Sequence, residues 1–432
     1  MNVRSRGQAS GAPCGLLWAV LAVAFIARLA AVQVFIGWHA PPAVEPAADS
    51  RIHMALVRSL LGGHGFSLFG APTGETPPLY IFLLAGLYRL FGDPAAVRIV
   101  QGGLGAADCA LLYTIGSRLF NRTTALAGAA LLAVYPLAVY LSSLHLTENL
   151  FLPLLLLVVL QSIRVAERPS PAAAAVLGAL IGLCALTRAA FLGFFPLVVP
   201  WAMATWGWRH PVAYRSAAVV LLGAAILILP WTVRNAMVLH TFAPVQDNGG
   251  LMFWAGNNAA ADGGITWPTW RTWTATRPPD TPLYGWTGLT QGRANRLYVR
   301  EALAWIHGHP RAYVRLLARK FGRLYGFTKS QDREDLRVPR PVVLCHIAVL
   351  VSAALGLVLT RRRWRSLAML ALLIVFANAT VLVFSGSTRY ELPMLPSLVL
   401  YAGAAASAAG ARVASALRPM FAAPVLKEAS PS

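Results

Sequence analysis

Residues 216–233 read SAAVVLLGAAILILPWTV, a run with no charged side chain, bounded by Arg215 and Arg234. As a helix rising ~1.5 Å per residue, this stretch is about 27 Å long, close to the ~30 Å hydrocarbon core of a bilayer. Unpaired backbone groups in hydrocarbon cost several kcal/mol, so such a segment must be helical. Working outward, comparable apolar stretches recur from Cys14 to Val413. Of the 432 residues, 57% are hydrophobic and only 12% are charged, about half the charge of a typical soluble domain. The fold class that follows is an all-α polytopic membrane protein. The formal charge of +21 does not point to nucleic acid, because much of the arginine lies beside the ends of apolar segments and suits anionic headgroups. Cys14, Cys109, Cys184 and Cys345 stand singly, without metal-ligand spacing, and read as inert core residues. Cys14–Trp38 is longer than a signal-peptide core and reads as a retained anchor.

Short basic loops stay in the cytoplasm, so the arginine clusters set the topology. They are Arg4 and Arg6; Arg118 and Arg122; Arg164 and Arg168; Arg209 and Arg215; Arg361, Arg362, Arg363 and Arg365; and Arg412, Arg418 and Lys427. Two crossings between neighbouring clusters leave three apolar stretches between Trp38 and Arg118 competing for two places. Residues 77–92 open with Pro77-Pro78 and contain Arg89, so they read as a re-entrant or interfacial helix. Ten spans remain, near 14–37, 95–117, 124–143, 149–165, 172–188, 190–206, 216–233, 341–360, 366–385 and 391–412. The organisation expected is an N-terminal membrane module, 1–233, with a first outer loop at 38–76. A long outer loop, 234–340, follows, and then C-terminal spans and a tail, 341–432. Within the long loop, Arg293–Tyr325 has apolar and basic residues at helical spacing and reads as an amphipathic helix on the membrane surface.

Only 16 residues are Asp or Glu, so their placement discriminates between mechanisms. Asp108 alone lies clearly inside a span, whereas an ion-coupled transporter carries several such groups along a path. Asp49 and Glu75 fall in the first outer loop and Glu148 at the outer end of a span. Three separated acids on one membrane face suit an enzyme; solvated loop acids are the bland alternative, to which Glu45 is assigned.

At these residues the chain resembles the GT-C glycosyltransferases of the protein-mannosyltransferase and lipid A aminoarabinose-transferase type. The matching pieces occur in family order: Asp49-Ser50, Leu60-Leu61-Gly62-Gly63-His64-Gly65-Phe66, Glu75-Thr76-Pro77-Pro78-Leu79-Tyr80, Leu146-Thr147-Glu148-Asn149, Leu186-Thr187-Arg188, Pro230-Trp231-Thr232-Val233-Arg234-Asn235, Gly256-Asn257-Asn258 and Arg389-Tyr390. The resemblance implies a membrane enzyme that moves a sugar from a polyprenyl-phosphate carrier to a lipid, glycan or protein acceptor, with inversion. It also implies a bacterial inner membrane and an active site facing the periplasm. Asp49 then matches the catalytic base, Glu75 the acid before the double proline, and Glu148 the second-loop acid near the phosphate. Glu75 and Glu148 become candidate ligands for a divalent metal. Ser50 and Thr76 depart from the Glu and Lys found in some relatives, and His53 replaces a tyrosine usual there.

Transfer from a phosphate-linked sugar needs a base for the acceptor proton and positive charge for the departing phosphate. Arg188, Arg234 and Arg389, near the outer ends of three spans, are the candidate phosphate ligands, with Tyr390 beside them; interfacial snorkelling is the alternative use. Asn257 and Asn258 either meet sugar hydroxyls or make turns. Trp267, Trp270, Trp273, Tyr284 and Trp286 suit stacking on a sugar or the headgroup level. The competing function is a secondary transporter or lipid flippase, for which Asp108 is the sensitive position.

Overall fold

In the computed structural model, which describes residues 14–264, 291–326 and 340–421, the uncharged run is the centre of a helix of 29 residues, Pro211–Leu239. Pro211 starts it at a position where the missing N–H is harmless, and the His210 ring accepts from the Val212 N–H. Its exposed stripe is Leu222, Ile226, Leu229, Val233 and Met237, and its opposite face buries Ala217, Val220, Ala224 and Ile228. That buried face packs on the helix Pro171–Thr187. Gly178 and Gly182 make the approach possible: a Cβ at Gly178 would overlap the Val220 carbonyl. Such small-residue contacts replace the hydrophobic drive that lipid cannot supply.

In chain order the helices are α1 (Cys14–Phe35), α2 (Ala48–Leu61), α3 (Pro78–Phe91), α4 (Pro94–Leu119), α5 (Arg122–Val134), α6 (Pro136–Leu141), α7 (Glu148–Glu167), α8 (Pro171–Thr187), α9 (Val198–Trp206), α10 (Pro211–Leu239), α11 (Gly249–Ala255), α12 (Gln291–Gly308), α13 (Pro310–Leu324), α14 (Arg340–Thr360), α15 (Ala368–Val383) and α16 (Leu395–Phe421). A small hairpin, β1 (Ser67–Leu68) with β2 (Ala71–Pro72), stands between α2 and α3. Among the described residues six helices are long and apolar enough to cross a bilayer: Gly15–Phe35, Pro94–Leu119, Glu148–Glu167, Ala189–Trp206, Pro211–Leu239 and Val343–Arg363. Four shorter apolar helices accompany them. One is α3, whose 14 residues reach only ~21 Å. The chain is an all-α polytopic membrane protein.

Several expected spans differ in detail. Residues 124–143 are not one helix, because Pro136 cannot continue the ladder and α5 gives way to α6 at Tyr135. Residues 190–206 begin as a 3₁₀ segment, Ala189–Leu197, before α9. The single amphipathic helix expected over 293–325 is two, broken at His309-Pro310, and its second half packs on α15 and the Thr388–Glu391 turn. Lys320 and Arg323 on that half are buried. The aromatic cluster Trp267, Trp270, Trp273, Tyr284 and Trp286 lies outside the described residues.

The basic ends of the helices meet. The Arg363 Nη2 donates to the Leu119 carbonyl at 2.6 Å, and Arg118 lies 3.9 Å from Glu167. Glu148 stands at the other end of α7 from Glu167, Arg188 at the end of α8, and Arg389 in the turn between α15 and α16.

Candidate active site

Asp49 sits in the first turn of α2 and Glu148 opens α7, so both carboxylates occupy helix N-termini, where the partial positive charge favours them. Arg188 caps the C-terminus of α8, the complementary arrangement. Arg389 projects from the 3₁₀ turn Thr388–Glu391 between α15 and α16. It joins the two acids: Nη1 lies 2.7 Å from Asp49 Oδ2, Nη2 3.1 Å from Glu148 Oε2, and Nε contacts Glu148 Oε1. Arg188 Nη1 approaches Glu148 Oε1 at 2.7 Å, and its guanidinium lies over the rings of Phe151 and Tyr390.

The two acids therefore have different capacities. The Glu148 side chain is 2% exposed and both its oxygens are held by guanidinium groups, so it organises charge. The Asp49 side chain, although flanked by protein, keeps 45% of its surface exposed. Burial works against its ionisation, but the Arg389 guanidinium outweighs it and holds the carboxyl below its ordinary value. Asp49 is thus an ionised, half-exposed carboxylate.

Glu75 follows the hairpin. Its N–H donates to Thr73 Oγ1 at 3.1 Å, and its carbonyl accepts from Gln246 Nε2 at 2.6 Å and Asn248 Nδ2 at 3.3 Å. Burial, the charge of Asp247 and that of Asp49 push its carboxyl up to about 8. All three expected acids therefore gather at one site, with Glu75 protonated at neutral pH. Asp247 was not singled out from sequence. It is 3% exposed, neither carboxylate oxygen has a hydrogen-bond partner among the described residues, and burial pushes it up to about 6. The tight approach at Gly74, where a Cβ would lie 3.1 Å from the Asp247 Cγ, holds it there.

Arg234 does not join Arg188 and Arg389 in the one cationic pocket expected. Its Nη1 donates to the Thr73 carbonyl at 2.7 Å and its Nη2 to that of Phe66 at 3.0 Å, so it braces the hairpin that leads to Glu75. Asn257 and Asn258 are likewise corrected from sugar contacts to loop structure. Asn257 is fully buried, donates to the Phe253 and Val383 carbonyls and accepts from Lys320 Nζ at 2.8 Å. Asn258 donates to the Trp254 carbonyl and accepts from the Ala260 N–H.

Glu45, assigned from sequence to bland solvation, is 1% exposed and anchors a network. It accepts from the His145 N–H and Nδ1 at 2.8 and 2.6 Å and from Arg98 Nη2 at 2.8 Å. Arg98 also donates to the carbonyls of Gly37, Trp38 and Ala40. The His145 carbonyl receives His53 Nδ1 at 2.8 Å. A carbonyl can only accept, so the His53 proton is on Nδ1 and the neutral ring keeps its lone pair on Nε2. The network ties the segment before Glu148 to the helix bearing Asp49. One signal was available, a Glu four residues before Asp49, but nothing local distinguished it from a loop acid.

Residues 75–233 match the family model described as dolichyl-phosphate-mannose-protein mannosyltransferase. None of the curated proteins matches by sequence. Among solved structures, the oligosaccharyltransferase of Archaeoglobus fulgidus, tethered with an acceptor peptide containing the NVT sequon, superposes with a TM-score of 0.58 at 14% identity. The match covers 95% of this chain and 51% of that one. AglB from the same organism, in complex with an inhibitory peptide and a dolichol-phosphate, gives 0.54 at 14% identity over 94% and 52%. The chain shares the fold of these archaeal oligosaccharyltransferase structures. ArnT from Cupriavidus metallidurans, bound to undecaprenyl phosphate, aligns over 96% of this chain and 82% of that one at 14% identity, but its TM-score of 0.42 adds nothing to the fold argument. The chain spans about half the length of the archaeal structures it matches.

One Archaeoglobus fulgidus oligosaccharyltransferase structure is a complex with zinc and sulfate. A metal bridging Glu75 and Glu148 does not fit this chain, since guanidinium groups already hold both Glu148 oxygens. Among the described residues no group of three or more His, Cys, Asp or Glu side chains is placed to hold a metal. Asp247, with two unpartnered oxygens beside Glu75, has the donors that Glu148 lacks.

Proposed function

We propose that the protein is an inverting glycosyltransferase that moves a sugar from a polyprenyl-phosphate carrier to a lipid, glycan or protein acceptor at the periplasmic face of a bacterial inner membrane. The observation that carries this reading is the Asp49 carboxylate, ionised and half-exposed, joined through Arg389 to the buried Glu148. An acceptor hydroxyl in the cleft gives its proton to Asp49 while its oxygen attacks the anomeric carbon. The bond from that carbon to the carrier phosphate oxygen breaks on the opposite side, and the carrier phosphate departs with the electron pair. Arg188 and Arg389 stabilise the charge developing on that phosphate through N–H groups not engaged by Glu148. Glu148 keeps two guanidiniums close together without mutual repulsion. Glu75, protonated at neutral pH, donates a hydrogen bond to the donor headgroup. A divalent cation would be held by Asp247, with Glu75 as a second ligand only in its deprotonated form in place of the hydrogen bond, and would supply positive charge to the leaving group.

Asp49→Asn tests the proposal. Membranes carrying the variant are expected to lose transfer of labelled sugar from polyprenyl-phosphate donors by about 10²–10⁴-fold, the usual worth of a positioned base. Mass spectrometry of lipids, glycans and surface proteins with and without the gene identifies the product. Unchanged transfer by Asp49→Asn removes Asp49 as base.

The alternative, a secondary transporter or flippase, draws on one feature. Asp108 lies at membrane depth beside Arg28, with Oδ1 unpartnered among the described residues, in a small cavity that reaches Glu148. For that reading Asp108→Asn abolishes function and Asp49→Asn does not.

A further inference from the structure

The hairpin register pairs Ser67 with Pro72 and Leu68 with Ala71, leaving the two-residue loop Phe69-Gly70. Both residues have positive φ, 53° and 81°. Two-residue loops with two positive φ values are the type I′ kind, for which Asn-Gly is the favoured sequence. A bulky side chain in the left-handed region is a genuine outlier that costs of order 1–3 kcal/mol. Phe69 accepts that strain and is nonetheless 87% exposed, so no packing among the described residues rewards the aromatic ring.

The hairpin's place in the molecule says what surrounds the ring. Arg234 donates to the carbonyls of Phe66 and Thr73, bracketing both ends of the hairpin, and Phe66 packs edge-on against Trp231 with centroids 4.9 Å apart. The hairpin is therefore fastened to α10 at the last turns of its apolar stripe, where Leu229, Val233 and Met237 are exposed to lipid. Phe242, just beyond α10, is 82% exposed. Two isolated aromatics at the level where a spanning helix leaves the hydrocarbon suit the headgroup boundary. We propose that the Phe69-Gly70 tip inserts into the outer-leaflet interface and anchors the loop carrying Glu75 to the lipid surface. The partner is the bilayer itself, and the proposal stands whether or not the cleft transfers sugar.

The test uses the full chain in lipid nanodiscs, its native cysteines replaced by alanine. A nitroxide at Phe69→Cys is compared with one at Ile226→Cys on the exposed stripe of α10 and one at Glu301→Cys on the exposed face of α12. Accessibility to oxygen over a water-soluble nickel chelate is expected to place position 69 with Ile226. Equality with Glu301, or shielding from both relaxants by contact with another protein surface, overturns the proposal. A second measurement places the label at Ala71→Cys with and without Phe69→Asn, a change that supplies the favoured turn sequence and so preserves the hairpin. The label should shift towards water by several-fold in relative accessibility when Phe69→Asn is added. An unchanged depth would show that the aromatic ring is not the anchor.

Discussion

Replacing Glu148 by Gln removes one negative charge from between two guanidinium groups. The structure gives the size of the effect: Glu148 is 3% exposed, with Arg188 Nη1 2.7 Å from one oxygen and Arg389 Nη2 3.1 Å from the other. At an effective dielectric near 20, each contact carries on the order of 6 kcal/mol of attraction before desolvation is subtracted. Breaking a buried pair by removing one partner typically costs about 3–5 kcal/mol, because the partners stay buried and unpaired. Glu148→Gln should therefore destabilise the fold by about that much, whereas Asp49→Asn, whose side chain is 45% exposed, should cost on the order of 1 kcal/mol. Cys109 and Cys184 are fully buried, so a thiol-reactive fluorophore reports unfolding of detergent-solubilised protein once Cys14 and the exposed Cys345 are replaced. The expected pattern is opposite for the two acids: a large fall in melting temperature with Glu148→Gln, and a large loss of transfer at near-native melting temperature with Asp49→Asn. If Glu148→Gln melts with the parent protein, Glu148 does not hold the arginines in place.

The raised Glu75 value makes stability depend on pH. The folded protein keeps this proton up to about 8 while the unfolded chain releases it near 4.5, so the contribution is fully present below pH 4.5 and is lost as pH rises through 8. Glu75→Gln should flatten that part of the melting profile; an identical slope in both proteins would show that Glu75 ionises normally. Glu45→Gln breaks the contacts to His145 and Arg98 and should cost about 3–5 kcal/mol, measured as a lower unfolding midpoint. Gly178→Ala drives a Cβ into the Val220 carbonyl and should destabilise by at least about 1–3 kcal/mol, visible in the same thiol assay. A melting temperature equal to the parent's would mean that α8 and α10 do not touch there.

The membrane character of this chain was legible residue by residue. A run such as 216–233 satisfies its own backbone only as a helix in lipid, and the arginines beside such runs mark one face, so hydropathy and charge determined the fold class. Asp49, Glu75 and Glu148 could also be chosen, because acids are scarce here and their neighbours resemble a family. What surrounds each acid was decided only by the tertiary structure. Arg389 reaches Glu148 across 241 positions of sequence, and Arg98 reaches Glu45 across 53. Whether a carboxylate is a buried clamp, an open base or a protonated donor depends on which distant charges surround it and how much water they leave. No local pattern encodes those surroundings, which is why Glu45 passed as an ordinary loop acid, Asp247 was not singled out, and Arg234, Asn257 and Asn258 stood as candidate ligands although they brace the loops.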